Sequence, residues 1–274
     1  MSLVIWESVP GDLTSRVLRI TDRFLSRGQK IWLRQCGIVI VLAHGLNGLE
    51  EAFWDSKPAA FLQQCFLESA YWRAQTMVER LRMCNWVIVN VTTPANYFHL
   101  LRRHSKVNFR KPVVLFTHRK IFNNPKLISD LSEFVEGTSF QTYIPDQNLK
   151  DYSNIVRVLF CCGTIYFDLL EERAARKLEN SVAICRLEQF YPFPFKELRA
   201  DVVKYPKETQ LFWVQLESFN LGWWSQVQER FDISMTGNPL MMETRVERTI
   251  GYIGPPRTAP AFYPPTSQQI YRQA

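Results

Sequence analysis

Residues 37–42 are Gly-Ile-Val-Ile-Val-Leu, and this run decides the class of fold that the sequence predicts. Two similar runs follow, Trp-Val-Ile-Val-Asn-Val at residues 86–91 and Pro-Val-Val-Leu-Phe-Thr at residues 112–117. Such β-branched runs are typical of parallel strands that are buried on both faces. Apolar residues with helical spacing lie before and between the runs, at residues 12–26, 59–82 and 94–104. The alternation predicts an α/β domain with a parallel sheet.

The chain beyond residue 150 predicts a second α/β unit. Residues 119–150 are more polar and are predicted to be a connection with one short helix. The proline-rich residues 251–274 are predicted to form an extended, non-helical tail. The predicted domains are therefore residues 1–118 and 151–250, with the connection between them. The predicted strands of the second unit are residues 156–161, 182–187 and 210–215, and its predicted helices are residues 164–179, 195–205 and 222–231.

The chain is basic, with a net charge of +7 and a pI of about 9.1 over 274 residues. Nucleic-acid binding would call for Lys and Arg clustered on one face. Here the positive charge is dispersed, with short runs only at Arg102-Arg103 and Arg110-Lys111, which we predict to form a solvated or partner-facing basic patch. We therefore do not expect nucleic acid as a partner, although the charge leaves an RNA-associated role open as an alternative.

The cysteines and histidines show no metal-binding or disulfide pattern. None of the six cysteines forms a Cys-x-x-Cys pair and most lie in apolar stretches, so we predict buried free thiols in a reducing compartment. Cys161 and Cys162 are adjacent in a predicted strand and point to opposite faces, which favours core packing over a redox pair. No run of 18 apolar residues is present, and the N-terminus lacks the pattern of a secretory signal peptide.

Three longer motifs carry a resemblance to a known family. Residues 92–103, Thr-Thr-Pro-Ala-Asn-Tyr-Phe-His-Leu-Leu-Arg-Arg, are followed by Phe-Arg-Lys-Pro at residues 109–112. Residues 159–169 are Leu-Phe-Cys-Cys-Gly-Thr-Ile-Tyr-Phe-Asp-Leu, and residues 186–195 are Arg-Leu-Glu-Gln-Phe-Tyr-Pro-Phe-Pro-Phe. In this order they resemble the thiamine-diphosphate-dependent decarboxylase component of 2-oxoglutarate dehydrogenase, a member of the transketolase-like superfamily. The chain thus looks like a truncated, divergent relative of that component.

The resemblance implies a fold. Members carry a diphosphate-binding domain, a pyrimidine-binding domain and a C-terminal transketolase-like domain. The sequence resembles the last part of the pyrimidine-binding domain up to about residue 118, and most of the C-terminal domain from about residue 151. A sheet reduced in this way would expose an edge and an apolar face, and such surfaces mark interaction sites.

The resemblance also implies which catalytic residues to look for. The family holds its cation and diphosphate with a Gly-Asp-Gly element followed by Asn, whereas this chain has only Gly-Asp-Leu at residues 11–13. The family loop that carries a catalytic histidine corresponds to residues 48–57, where Phe53 occupies the histidine position. His44 and His99 match family histidines and are interpreted as relics with packing or hydrogen-bonding roles. We therefore predict that neither thiamine diphosphate nor Mg²⁺ binds and that the chain has no catalytic residues.

Two other pairs of residues also have a structural interpretation. Glu188 and Glu217 could in principle work as an acid–base pair, but both lie at positions that match the structural pattern of the family. Trp223 and Trp224 stand where the family tends to carry paired aromatic residues, so packing is the default expectation for them.

These features predict a non-catalytic accessory subunit of a mitochondrial assembly, at the matrix or the matrix face of the inner membrane. The favoured hosts are a respiratory-chain complex or ATP synthase, with protein subunits as permanent partners in an obligate hetero-oligomer and membrane contact only through them. Two alternatives stay open: a mitochondrial ribosomal or RNA-associated protein, and one half of a split, active 2-oxoglutarate decarboxylase.

Overall fold

The computed structural model describes residues 2–8, 19–43, 58–65, 76–118, 121, 124–149, 151–236 and 245–257. The chain divides into two compact units. The first unit consists of Met1–Gln141 with Gln189–Pro192, and the second of Thr142–Glu188 with Phe193–Ala274.

The described residues contain two five-stranded sheets, one in each unit. In the first sheet the strand order is β1-β2-β4-β3-β8, and in the second it is β10-β9-β6-β7-β5. The strands are β1 (Ile5–Ser8), β2 (Val39–Ala43), β3 (Val87–Asn90), β4 (Val113–Thr117), β5 (Tyr143–Ile144), β6 (Arg157–Cys161), β7 (Val182–Leu187), β8 (Gln189–Tyr191), β9 (Gln210–Val214) and β10 (Gly251–Ile253).

Each sheet is parallel except for one short strand at its edge. In the first sheet β8 pairs antiparallel with β3, and in the second β5 pairs antiparallel with β7. The central strands are the β-branched runs quoted above, and their side chains are buried on both faces, as in β4, where all five residues are buried. The predicted α/β class is confirmed, with two mostly parallel sheets.

Two helices of the first unit begin at threonines that cap them. Thr93 accepts a hydrogen bond from the backbone N–H of Asn96 and begins the longest helix of the first unit, with Pro94 as its first residue. Thr76 and Glu79 form a capping box. The α-helices are α1 (Gly28–Trp32), α2 (Pro58–Leu62), α3 (Met77–Met83), α4 (Pro94–Lys106), α5 (Ile165–Ala175), α6 (Phe195–Val202) and α7 (Trp224–Thr236), with a π-helical turn at Thr21–Ser26 and a 3-10 turn at Leu131–Phe134.

The structure differs from the predicted organisation in three places. The predicted connection, residues 119–150, is divided between the two units, and its residues Tyr143–Ile144 form a strand of the second sheet. Residues Gly251–Ile253 pair with β9 rather than starting a free tail. The segment Gln189–Tyr191 follows β7 closely but joins the first sheet. All three strands have only two or three residues, too few for a periodic pattern.

Candidate functional site

His99 is the one predicted relic histidine among the described residues. It lies in the middle of α4 and is buried, with Nε2 at 2.7 Å from the carbonyl oxygen of Glu133 and 3.0 Å from Oγ1 of Thr138. Because a carbonyl oxygen only accepts, Nε2 carries the hydrogen and donates it. Nδ1 is buried and has no hydrogen-bond partner among the described residues. The imidazole therefore ties α4 to the 3-10 turn at Leu131–Phe134 through the nitrogen that carries its hydrogen.

The other predicted site residues lie outside the described residues. This holds for His44, for the loop with Phe53, and for the Gly-Asp-Leu element at residues 11–13. The match of His44 to a family histidine, the substitution at Phe53 and the roles of these residues stay predictions.

The predicted basic patch is wrong for Lys111, which is buried. The Nζ atom of Lys111 is enclosed and donates to Oε1 of Gln29 at 2.6 Å and to the carbonyl oxygen of Cys84 at 2.5 Å. The guanidinium of Arg103 is partly buried, donates to Oε1 of Gln189 at 2.7 Å and packs on the Phe140 ring. Lys111 is therefore not a solvated surface charge, whereas Arg103 is half-buried.

His104 lies one residue further along α4 and is also buried. Its Nε2 donates to the carbonyl oxygen of Gly37 at 2.8 Å, which joins the last turn of α4 to the segment that leads into β2. Burial lowers the pKa of His104, the hydrogen bond to Gly37 raises it, and the nearby Arg110 and Arg103 lower it further, so that the net pKa lies below the ordinary value of 6.5. The folded chain therefore favours the neutral imidazole.

A pH dependence of stability follows from His104. Below about pH 6.5 the unfolded chain binds a proton at this position that the folded chain resists. Its contribution to stability is fully present above about pH 6.5 and is lost as the pH falls through the lowered folded pKa. We expect the free energy of unfolding in urea to drop between pH 7.5 and pH 5.5. In His104→Gln, which can still donate to Gly37, the drop should be smaller; an equal drop in both proteins would contradict the assignment.

The carboxyl end of the second sheet gathers buried polar and thiol groups. Cys161 ends β6, and Cys162 follows it; both are buried free thiols, as Cys84 and Cys185 are, whereas Cys36 and Cys65 are only partly buried. Burial raises the pKa of Cys161 and raises the pKa of Cys185 to about 12. Since the thiolate is the reactive form, Cys161 and Cys185 are unreactive at neutral pH. Core packing therefore accounts for them.

Asp201 organises one polar cluster in this unit. Its Oδ2 accepts a hydrogen bond from the Tyr143 hydroxyl at 2.6 Å and one from the Tyr205 hydroxyl at 3.4 Å, and Sγ of Cys185 donates to the same oxygen at 3.6 Å. Burial raises the pKa of both tyrosines, with the neighbouring Cys185 as the next contribution. The hydroxyls stay protonated, as donation to a carboxylate requires, and they fix β5 and α6 together.

Gln215 is the centre of a second buried network, directly after β9. Its Oε1 accepts from the indole Nε1 of Trp213 at 2.9 Å and from the backbone N–H groups of Trp223 and Trp224 at 3.0 Å each. Its Nε2 donates to the carbonyl oxygens of Glu217 at 3.0 Å and Ser218 at 3.1 Å. Both halves of the amide are thus satisfied within a water-excluded site. The burial of Trp223 and Trp224 agrees with the packing role predicted for them.

Asp146 and Arg173 form a buried ion pair in the same unit. Nη1 of Arg173 donates to Oδ2 of Asp146 and also to the carbonyl oxygen of Val182 at 3.1 Å. The same carboxylate oxygen accepts the backbone N–H of Ile184 at 2.9 Å. The pair fastens the segment after β5 to α5 and β7. The sequence contained no signal for it, because Pro145-Asp146 has the pattern of an ordinary turn.

Glu188 and Glu217 are both buried, after β7 and β9.

Within the part of the chain that the structure describes, no group of three or more His, Cys, Asp or Glu side chains could hold a metal ion. No helix of those residues is long and apolar enough to cross a membrane. Asp146, Asp201 and Gln215 of the second unit instead make buried contacts that hold elements together.

Comparison with known proteins identifies the family. A family described as 2-oxoglutarate dehydrogenase C-terminal matches residues 128–264, which is half of the chain. The chain belongs to the 2-oxoglutarate dehydrogenase family. This confirms the family that the sequence motifs indicated.

Curated relatives match over most of the chain. It is 39% identical over 266 residues to the mitochondrial 2-oxoglutarate dehydrogenase-like protein of Pongo abelii, covering 95% of the chain and 25% of that protein. It is 37% identical to the mitochondrial 2-oxoglutarate dehydrogenase of Caenorhabditis elegans, covering 84% of the chain and 23% of the relative. The probable 2-oxoadipate dehydrogenase complex component E1 homolog of Dictyostelium discoideum is 38% identical, over 84% of the chain and 25% of its own length. The chain thus spans about a quarter of the length of these members of the family.

Proposed function

We propose that this member of the 2-oxoglutarate dehydrogenase family is a non-catalytic accessory subunit of a mitochondrial protein assembly, with a respiratory-chain complex or ATP synthase as the host. The observation that carries the proposal is an exposed apolar surface on the first unit. Its residues are Ile20, Phe24, Ile31, Trp32 and Leu33, and we call it the 20–33 surface.

The 20–33 surface has the composition of a contact site. The rings of Phe24 and Trp32 stack in parallel with their centroids 5.0 Å apart, and Arg23 lies over Trp32. Leu33 is 87% exposed and has a left-handed backbone, with φ of 55°. That conformation costs a branched residue about 1 kcal/mol or more, and strained exposed residues of this kind cluster at functional sites. Apolar patches of this type mark interaction sites.

The charge around the 20–33 surface indicates the chemistry of the partner. The cations Arg19, Arg23, Arg27, Lys30 and Arg34 accompany a single acid, Asp22, which pairs with Arg27 at 2.9 Å. Strand β1 is at the end of the described strand order of its sheet, and Leu3, Val4 and Ile5 are exposed. A protein with acidic side chains around an apolar contact fits this surface.

The non-catalytic part of the proposal is supported by the sequence of the loop at residues 48–57. Phe53 stands where the family loop carries a catalytic histidine, and no histidine lies between His44 and His99. A phenyl ring neither donates nor accepts a proton, so it cannot do acid–base work. His99, in turn, uses its N–H to bind the Glu133 carbonyl, which fits a structural role. The mitochondrial location is proposed from the names of the relatives.

Native fractionation of mitochondria that carry the tagged chain tests the subunit role. We expect co-migration with an inner-membrane complex, and loss of co-migration in Phe24→Glu with Trp32→Glu, which place acids opposite an acidic partner. Ile128→Glu is the matched control, because Ile128 is an exposed apolar residue of the same unit outside the 20–33 surface. Co-migration with ribosomal RNA or with a thiamine-binding chain would instead support the RNA-associated or split-enzyme alternative.

An activity assay tests the non-catalytic part separately. The purified complex is given 2-oxoglutarate, thiamine diphosphate and Mg²⁺, and released CO₂ is measured. We expect no release above a protein-free control. Release of CO₂ that depends on this chain would overturn the pseudoenzyme proposal. It would not affect the subunit role, which the fractionation experiment tests.

A further inference from the structure

A second apolar surface of the first unit lies along α4. Its residues are Phe98, Ile128, Leu131, Phe134 and Val135, and we call it the 98–135 surface. Leu131 is 83% exposed and Ile128 is 77% exposed, whereas Phe134 is half-buried. The ring centroids of Phe98 and Phe134 are 5.5 Å apart, which joins the helix and the 3-10 turn in one surface. Exposed apolar patches mark interaction sites.

Hydrogen bonds to α4 hold the backbone of the 98–135 surface in place. The His99 imidazole donates to the carbonyl oxygen of Glu133 at 2.7 Å, and Oγ of Ser129 accepts a backbone N–H from the first turn of α4 at 3.1 Å. The side chain of Asn96 exchanges two hydrogen bonds with the backbone of Gln141, at 2.9 and 2.8 Å. A surface that is ordered before it binds loses less conformational entropy on binding.

The charge of the 98–135 surface is opposite to that of the 20–33 surface. Residues 128–136 contain the exposed acids Asp130, Glu133 and Glu136 and no Lys or Arg, and Lys126 is the cation that precedes them. The cations of the 20–33 surface named above are all exposed. Both surfaces therefore combine exposed apolar side chains with charges, and the signs of these charges are complementary.

We propose that the 20–33 surface of one chain binds the 98–135 surface of a second copy, so that identical chains associate head to tail. The inference rests on the proposed function, because it names a partner for the 20–33 surface. In this contact the stacked rings of Phe24 and Trp32 pack on Leu131 and its apolar neighbours. The cations of one copy face the acids of the other.

A head-to-tail contact uses two different surfaces of each chain. Such contacts give rings if the rotation between copies closes, and open arrays if it does not. In an open array the end copy keeps its 20–33 surface free. That copy can bind the host assembly, so the contact between copies and the contact with the host are compatible.

Sedimentation velocity of the purified chain over a concentration series tests the contact. We expect species larger than the monomer, with a share that rises with concentration. Phe24→Glu with Trp32→Glu and, separately, Leu131→Lys with Val135→Lys should each weaken the association at least about tenfold, because each removes the apolar part of one surface. Val156→Lys is the matched control, since Val156 is an exposed apolar residue of the second unit, and it should associate like the unaltered chain.

A mixture of the two altered chains provides the sharpest result. Each altered chain keeps one intact surface, and the two intact surfaces are of opposite kind. The mixture should therefore form a one-to-one dimer and nothing larger, although neither altered chain associates alone. The altered surfaces do not rejoin, because exposed ion pairs without an apolar contact contribute little. An unaltered chain that stays monomeric, a variant that associates alone, or a mixture that stays monomeric would each overturn the proposal.

Failure of this contact can be distinguished from failure of the proposed function. The chain with Leu131→Lys and Val135→Lys keeps its 20–33 surface, so it should still co-migrate with the host, as the Ile128→Glu control should. If the unaltered chain co-migrates with the host but is monomeric in solution, the subunit role stands and the head-to-tail contact is refuted. Self-association without co-migration would refute the subunit role and support the contact between copies.

Discussion

Replacement of Gln215 by leucine is expected to lower the free energy of unfolding by at least about 3 kcal/mol. Leucine has a similar volume but takes the acceptor away from three buried donors: the indole N–H of Trp213 and the backbone N–H groups of Trp223 and Trp224. The carbonyls of Glu217 and Ser218 each lose one donor but still accept from the Tyr252 hydroxyl and from the backbone N–H groups of Leu221 and Gly222. Each unsatisfied buried group costs roughly 1–3 kcal/mol, and some relaxation reduces the sum. Urea unfolding followed by tryptophan fluorescence measures the loss, because three tryptophans surround the amide.

The contacts of Gln215 leave little room for relaxation. A Cβ atom placed on Gly222 would lie 2.7 Å from Cδ of Gln215, so the backbone passes directly against the amide. Gln210→Leu is the matched control, because Gln210 is an exposed residue of β9, the strand that Gln215 follows. We expect that change to stay within about 0.5 kcal/mol. If Gln215→Leu lowered the free energy of unfolding by less than about 1 kcal/mol, water would have to enter the site and hydrogen-bond the groups that lost Gln215 as their partner.

Asp146→Ala is expected to cost about 3–5 kcal/mol of folding free energy. The change leaves the buried guanidinium of Arg173 without its counter-ion and removes the acceptor of the Ile184 N–H. Breaking a buried pair by removing one partner is more damaging than removing both, because an uncompensated charge is left in a poorly solvated place. Guanidinium chloride unfolding at pH 7 provides the measurement.

Two further variants show whether the uncompensated charge is the cause. Glu172→Gln removes the partner of Arg176 in an exposed pair with an N–O distance of 2.7 Å, and it should cost under about 0.5 kcal/mol. The double variant Asp146→Leu with Arg173→Met should recover a large part of the loss, since no charge is left buried. If the double variant were as unstable as Asp146→Ala alone, packing rather than charge would be responsible.

The central strands of both sheets could be predicted from the sequence. Residues 37–42, 86–91, 112–117 and 182–187 are mostly apolar over a whole strand length and contain β-branched residues, which is the composition that a strand buried on both faces needs. The short strands β5, β8 and β10 could not be predicted. With two or three residues they have no periodicity, and their place in a sheet depends on which distant strand offers a free edge.

The exposure of charged residues likewise could not be predicted from the local sequence alone. Arg102 and Arg103 are neighbours in one helix, and their sequence context gives both the same expectation of exposure. The structure places the Arg103 guanidinium against Gln189 and Phe140, residues that are far away along the chain. The contact depends on the arrival of β8 beside β3, which the local sequence does not encode.

The sequence by itself determined the family of this chain and the α/β class with its central strands, since each is a property of residue types and their local spacing. The tertiary structure alone decided the five bonds of Gln215, the pairing of Asp146 with Arg173 and the burial of Lys111. The reason is physical: apolar burial follows a repeating local pattern, whereas a buried polar group is satisfied by whichever distant segment the fold brings to it.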